Sequence, residues 1–333
     1  MRISKLIKNI LPYFISSYFL RKKAIQRSKK IFLSPEPPIY NKDGKKLKTI
    51  YLSHNLGSNF TYGFVAGRYP LNIFWDTKNY SLKNHVYFHV NILTTIGLPE
   101  RKFALFIESE SIVPKDFKLF SKHKGLENDF NLIFTHSAKH LDKYDNAVFI
   151  PGGGVYYGTP LHGGGGSIVH NEQYKFKTSN ISLVSSNKVM CKLHKFRLDL
   201  ARHYKNSSCV NTYGNFDGGQ YIKISDSLTN YRYSIVIEND ITPFRFTEKI
   251  LNCFASMTIP IYIGATKIGD FFNLDGIIQI SRPDIDEVNK AVKMCCETDY
   301  NSRLSAIIDN YNRVQNYLCI EDYIWNNYSE HFI

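Results

Sequence analysis

Glu238, Thr247, Glu248 and Lys249 fall in one stretch, YSIVIENDITPFRFTEKILNCFASMTIPIYIGATKIGDFFNLDGIIQ (Tyr233–Gln279), whose residue order could support chemistry. An apolar run ends in Glu238-Asn239, and a polar loop follows. Thr247-Glu248-Lys249 then opens a helix, before a second apolar run, Ile259–Ile263, closes on Gly264. A lysine in the first turn of a helix faces the positive end of the macrodipole. A strong anion lying between that lysine and the exposed helix amides removes the conflict. A solvated lysine on an ordinary βαβ unit is the alternative. The other candidate is Glu108, which ends the apolar run Phe103–Ile107, where a strand of an open α/β sheet delivers side chains to a ligand crevice. Glu110 shares its face if the chain stays extended. It then substitutes for Glu108 or raises its pKa by like-charge proximity. Capping the next helix is the other use of either carboxylate.

The elements that must hold these residues alternate between strand and helix. Strand-like runs at Thr49–Ser53, Leu71–Trp75, Phe103–Ile107, Leu132–Thr135 and Ala147–Pro151 are separated by polar or helical segments. A glycine-rich stretch follows, PGGGVYYGTPLHGGGG (Pro151–Gly166), which cannot hold a helix or strand for long and reads as an inter-domain hinge. A second series runs through Ile181–Ser185, a helix from about Met190 to Tyr204, Cys209–Tyr213, Tyr233–Glu238, a helix over 247–257, Ile259–Gly264 and Ile277–Ile280. Helices over Asp286–Glu297 and Arg303–Asn327 complete it. The pattern is that of two α/β domains. It predicts a basic N-terminal arm at 1–35, a first domain at 46–165, a second at 170–300 and a C-terminal helical segment at 301–333.

The chain has 333 residues, 43% hydrophobic, and a net charge of +13. Residues 1–35 carry Arg2, Lys5, Lys8, Arg21, Lys22, Lys23, Arg27, Lys29 and Lys30 with no acid. Such a segment suits an anionic membrane surface or nucleic acid. Its apolar part, Leu6–Leu20, includes Lys8, Asn9 and Pro12 and is too short to span a bilayer. An interfacial amphipathic anchor within residues 1–30 is the expectation; a helix packed on the body of the protein is the alternative. The charge is concentrated in the arm, and no zinc, RNP or helix-turn-helix signature accompanies it, which argues against a nucleic-acid partner. Cys191, Cys209, Cys253, Cys295, Cys296 and Cys319 form no C-x-x-C pair. They read as buried thiols of a reducing, cytoplasmic compartment. Asp284-Ile285-Asp286 has metal-binding spacing but begins a helix, where capping is the expected role, so no metal is expected. The tetraglycine Gly163–Gly166 lacks the G-K-[ST] of a phosphate loop, and its neighbours His162 and His170 are acceptor contacts or simply solvated.

Set together, IEN, TEK, IPIYIGA and DFF resemble the donor-binding core of the family 10 glycosyltransferases, the α-1,3/4-fucosyltransferases. The matching positions are Glu238, Asn239, Thr247, Glu248, Lys249, Pro260, Tyr262, Gly264, Asp270 and Phe271. SLVSSNK (Ser182–Lys188) resembles the opening of the same domain, and FIESESIVP (Phe106–Pro114) the family's F-E-S signature. Phe130–Tyr156 is similar to the stretch that follows it. The resemblance spans roughly residues 100–285. It implies a GT-B-type α/β fold, two Rossmann-like domains facing a cleft, with a C-terminal helix. It also implies an inverting transfer from a nucleotide sugar, GDP-fucose favoured, to a hydroxyl of a surface glycan such as a lipopolysaccharide or capsule intermediate. In those terms Glu108 is the base, with Glu110 beside it, and Lys249 holds the diphosphate. Glu248 accepts hydrogen bonds from vicinal hydroxyls, and Glu238, Asn239, Thr247, Ser186 and Asn187 complete the donor site. Two positions depart. Arg245 stands where the family has tyrosine, adding a phosphate contact or signalling a different nucleotide sugar. The family's arginine after S-N has no direct counterpart, leaving Lys192, His194, Lys195 and Arg197 as substitutes, with Arg197 taken as the donor contact. No cofactor is expected besides the donor substrate, and the enzyme would sit on the inner face of the cytoplasmic membrane. A non-catalytic glycan-binding relative would require the loss of Glu108 or Lys249, and both are present.

Overall fold

The protein is described by a computed structural model covering residues 15, 18, 39–41, 43–53, 68–164 and 172–332. All but Ile15 and Tyr18 of the predicted basic arm falls outside the described residues, as do Gly165, Gly166 and His170. Among the described residues, no helix is long and apolar enough to cross a membrane. The chain forms two units. One comprises Met1–Gly63, Tyr69–Ile150 and Glu321–Ile333, and the other Phe64–Arg68 and Pro151–Ile320.

The first unit is built on a six-stranded parallel sheet. Its strands are β1 (Lys48–Ser53), β2 (Ile73–Asp76), β3 (Asn84–Phe88), β4 (Arg101–Leu105), β5 (Leu132–Thr135) and β6 (Ala147–Phe149), in the order β2-β1-β3-β4-β5-β6. β2 and β4 show why the strands were readable: both faces are covered, so Ile73–Trp75 and Phe103–Leu105 are unbroken apolar runs and not alternating ones. β3 was not foreseen. Its Asn84 and His85 look like loop residues, yet His85 is fully buried, with Nδ1 3.0 Å from the Tyr87 hydroxyl. Short helices α1 (Leu119–Lys122) and α2 (Ala138–Lys143) cover a core of Phe106, Phe117, Phe120, Ile133 and Tyr144.

The second unit has a five-stranded parallel sheet: β7 (Ser179–Val184), β8 (Asn211–Tyr213), β9 (Tyr231–Ile237), β10 (Ile259–Ile263) and β11 (Ile278–Gln279), ordered β11-β10-β9-β7-β8. Its helices are α3 (Lys192–Tyr204), α4 (Ile224–Leu228), α5 (Glu248–Ala255), α6 (Ile285–Met294), α7 (Glu297–Ser302) and α8 (Leu304–Val314). The expected α/β class with two parallel, Rossmann-like sheets is observed.

Three sequence expectations need correction. The long C-terminal helix is broken: α8 ends at Val314, a 3-10 turn follows over Gln315–Tyr317, and α9 (Ile320–Tyr328) starts anew. At the break, the Leu318 carbonyl accepts from Val155 N at 3.1 Å, outside any helical ladder. From Glu321 onward the chain packs into the first unit. Glu321 accepts from the Trp75 indole at 2.8 Å, and Asp322 from the amides of Leu71 and Asn72. Phe332 packs against Phe103, with ring centroids 4.4 Å apart. The glycine run is not purely a hinge, because Gly152 N donates to Phe246 O at 2.9 Å, against the chain that leads into α5. The cysteines are not uniformly buried either. Cys253, Cys295 and Cys319 are, but Cys209 and Cys296 are exposed and Cys191 is intermediate. The sulfurs of Cys191 and Cys296 cap α3 and α7.

Candidate active site

In the second unit the chain turns from β7 outward to β8 and then returns to β9 on β7's other side. The carboxyl ends of β7 and β9 therefore form the switch point of the sheet, where open α/β sheets bind ligands. Glu238 directly follows β9 there and has no solvent exposure. Its carboxylate accepts from Thr247 N at 2.9 Å and from Thr247 Oγ1 at 2.7 Å, and lies 3.4 Å from Lys249 Nζ. Thr247 is the N-cap of α5, its hydroxyl oxygen accepting from Lys249 N at 3.3 Å. The opening of α5 is thus fixed through a buried carboxylate on the neighbouring strand. Gly264 is required by the same packing: a Cβ there would come 2.6 Å from Glu238 Cγ and collide with the Tyr262 hydroxyl.

Lys249 and Glu248 are each 25% exposed, and Lys249 Nζ lies 3.3 Å from Glu248 Oε1. Burial pushes the Glu248 carboxyl up, but Lys249 and Arg245 more than offset it and hold it below the usual carboxylate range. Arg245 lies in the interior beside two carboxylates. It is 3% exposed, with Nη1 3.7 Å from Glu238 Oε2 and 3.8 Å from Asp240 Oδ1. It serves as a buried counter-charge to those two carboxylates. Gly153 approaches the same helix start, where a Cβ would stand 2.9 Å from Glu248 N.

α3 supplies the other side of the switch point. Arg197 Nη1 donates to Ile237 O at 3.2 Å, and its Nε is buried with no hydrogen-bond partner among the described residues. Burial lowers its pKa, while Glu238 and Glu248 oppose the shift. His194 Nε2 donates to Asn239 Oδ1 at 2.9 Å, and the Cys191 thiol to Asn239 O at 3.2 Å. Asn239 therefore ties the β9 loop to α3. Burial lowers the His194 pKa despite its bond to Asn239. Ser186 follows β7 and its hydroxyl accepts from Lys188 N at 3.4 Å. Asn187 is exposed, and its side chain holds the loop after β8, accepting from Asp217 N at 3.2 Å and donating to Asn215 O at 3.3 Å. That loop rims a cavity of about 520 Å³ lined by Tyr213, Gly214, Asp217 and Gln220.

In the first unit Glu108 stands three residues beyond the end of β4. Its Oε1 accepts from Ser109 N at 2.7 Å. The amides of Ile107 and Glu108 donate to His89 Nε2 at 3.3 and 3.1 Å, and the Glu108 carbonyl accepts from His136 Nε2 at 3.1 Å. The chain does not stay extended: Ile112 N and Val113 N both turn back to Ser109 O. The alternation argument for Glu110 therefore fails, and its carboxylate lies 3.3 Å from Lys139 Nζ at the surface. His89 and His136 were missed by sequence reasoning. The available signal for His136 was its place directly after the apolar run Leu132–Thr135, whereas His89 follows β3, which the sequence did not show. Asp284 caps α6, accepting from Asp286 N at 2.9 Å. Among the described residues, no group of three or more His, Cys, Asp or Glu converges as metal ligands would.

Fold and site together define an α/β protein with two Rossmann-like units, one of which presents a fixed helix start and a lysine at its switch point. No protein-family model matches the chain. Over 141 residues it is 26% identical to an alpha-(1,4)-fucosyltransferase of Arabidopsis thaliana, covering 35% of each chain. The chain thus spans about a third of the length of the curated relative it matches. Among solved structures it is similar to an alpha1,3-fucosyltransferase, with 18% identity, coverage of 85% of this chain and 86% of that one, and a TM-score of 0.48. A structure titled alpha1,3-fucosyltransferase with GDP-fucose gives 15% identity, 86% and 91% coverage, and a TM-score of 0.48.

Proposed function

We propose that this chain is an inverting, fucosyltransferase-like glycosyltransferase that takes GDP-fucose as donor. The observation that carries this reading is the Glu238–Thr247–Lys249 constellation at the switch point of the second sheet. A lysine and the amides of a capped helix start converge there, with Arg197 alongside. The motif resemblance and the curated fucosyltransferase relative support the same class.

Transfer breaks the bond between the anomeric carbon and the donor diphosphate and forms one from the acceptor oxygen to the opposite face of that carbon. Glu108 takes the acceptor's proton as the new bond forms. Lys249 and the N-terminal amides of α5 hold the negative charge that grows on the departing diphosphate. Glu248 accepts from sugar hydroxyls. Arg245 acts indirectly, by balancing Glu238. With cationic groups available for the diphosphate, activity is expected to survive EDTA. The acceptor in this reading is a surface glycan such as a lipopolysaccharide or capsule intermediate, and the basic arm within residues 1–30 keeps the enzyme on the cytoplasmic face of an anionic membrane.

Calorimetric titration with GDP, UDP and CMP tests the donor site. GDP should bind most tightly, and Lys249→Met should weaken it by about 10- to 100-fold, the worth of one charged hydrogen bond. Preference for UDP would reassign the donor to a different nucleotide sugar, and no binding of any nucleotide overturns the reading. Glu108→Gln should retain donor binding and lose turnover. Flotation with anionic vesicles should depend on residues 1–30; unchanged recovery of a chain lacking them refutes the membrane contact.

A further inference from the structure

We propose that His89 and His136 are positioning residues that together fix the backbone of Glu108; the proposal rests on the reading of Glu108 as the base. β4 is flanked by β3 and β5, and a histidine stands immediately beyond the carboxyl end of each neighbour. Sheet pairing of this segment ends at Phe106, whose amide donates to Phe134 O at 2.9 Å. The next two amides donate to an imidazole on the β3 side, His89 Nε2. The Glu108 carbonyl is met by an imidazole on the β5 side, His136 Nε2. Two rings thus take over where the sheet stops.

Partner chemistry assigns both tautomers. An amide N–H can only donate, so His89 Nε2 is unprotonated and its Nδ1 carries the hydrogen, 3.2 Å from Asp116 Oδ2. A carbonyl can only accept, so His136 Nε2 carries the hydrogen. Opposite tautomers therefore grip the two polar groups of one residue, with the Asp116 carboxylate close to the protonated side of the His89 ring.

His89 also has a backbone cost. It adopts φ 49, a left-handed conformation that few residues other than glycine occupy, and is 5% exposed. Strain of that kind persists only where the surroundings over-determine it. Here they are Phe88 at 4.4 Å, Phe106 at 5.5 Å and Phe117 at 6.1 Å, all roughly edge-on to the ring. Phe117 also packs 5.6 Å from His136. With the backbone pinned, Ser109 N at 2.7 Å aims the carboxylate of Glu108.

The test is a kinetic comparison of His89→Phe, which keeps a packed ring but no acceptor, with His89→Gln, whose Oε1 can accept the two amides. His89→Phe should lower kcat by roughly 10- to 100-fold, the effect of a misplaced catalytic group, with the donor KM unchanged. His89→Gln should recover most of the loss. In a Glu108→Gln background His89→Phe should cost nothing more, because the two changes remove one function. If Glu108→Gln is inactive while His89→Phe turns over at the wild-type rate, the positioning proposal fails and the assignment of the base stands. If Glu108→Gln is fully active, the base assignment itself has failed. Loss in His89→Gln equal to that in His89→Phe, or additive loss in the double variant, would show a purely structural histidine.

Discussion

Replacing Glu238 by glutamine removes a full negative charge from a position with no solvent exposure. Lys249 Nζ lies 3.4 Å away and Arg245 Nη1 3.7 Å away, and the helix cap Thr247 donates to the same carboxylate through its amide and hydroxyl. At an effective dielectric of about 20, the Coulomb attraction is about 5 kcal/mol to Lys249 and about 4 kcal/mol to Arg245. Glu248 and Asp240 remain to neutralise part of both cations, so the two figures do not sum. Stranding buried charges by removing one partner costs about 3–5 kcal/mol, and that is the expected loss. For a unit of this size each kcal/mol shifts the midpoint by about 2–4 °C, giving a fall of about 6–20 °C. Scanning calorimetry at pH 7 measures it, with Glu110→Gln as the control. Glu110 pairs with an 80% exposed Lys139, so its loss should cost about 1 kcal/mol or less. A midpoint within about 2 °C of wild type for Glu238→Gln would refute the view that this carboxylate organises the start of α5.

Two more predictions concern the first unit. Burial lowers the His85 pKa from 6.5 to about 4, with Lys102 adding to the effect and hydrogen bonds to backbone groups opposing it. The unfolded chain therefore binds the extra proton first, and stability falls by up to about 3 kcal/mol as pH drops from 6.5 towards 4. Urea unfolding across that window should show the slope, and His85→Phe should flatten it; an unchanged slope removes His85 as its source. Phe332 is fully buried against Phe103 and Phe134, so Phe332→Ala should cost about 3–5 kcal/mol in urea unfolding. A loss below about 1 kcal/mol would mean that the C-terminal segment does not hold the first sheet.

Most strands were legible because a parallel sheet covered on both faces demands unbroken apolar runs, and Phe103–Leu105 or Ile259–Ile263 satisfy little else. The α5 start was legible because a threonine cap and a lysine in the first turn are local signals, set by backbone groups within one turn. β3 escaped because its polar residues are satisfied only by distant partners, such as Phe332 O for Asn84. The broken C-terminal helix escaped for a similar reason, since helical periodicity in 303–327 continues through a break imposed by Val155 N on Leu318 O.

The sequence by itself determined the residue types of the candidate site, the cap and lysine of α5, and the strand that delivers Glu108, since each depends on neighbours a few positions away. Only the tertiary structure decided what those residues touch. Arg245 became a buried counter-charge because Glu238 and Asp240 face it from the β9 loop, and Glu110 turned to Lys139 because the chain bends at Ser109. Glu108 is gripped by His89 and His136, 19 and 28 residues away along the chain, because β3 and β5 lie on either side of β4 in the sheet. Hydrogen bonds between strand ends depend on sheet order, and sheet order is a property of the folded chain that no local spacing encodes.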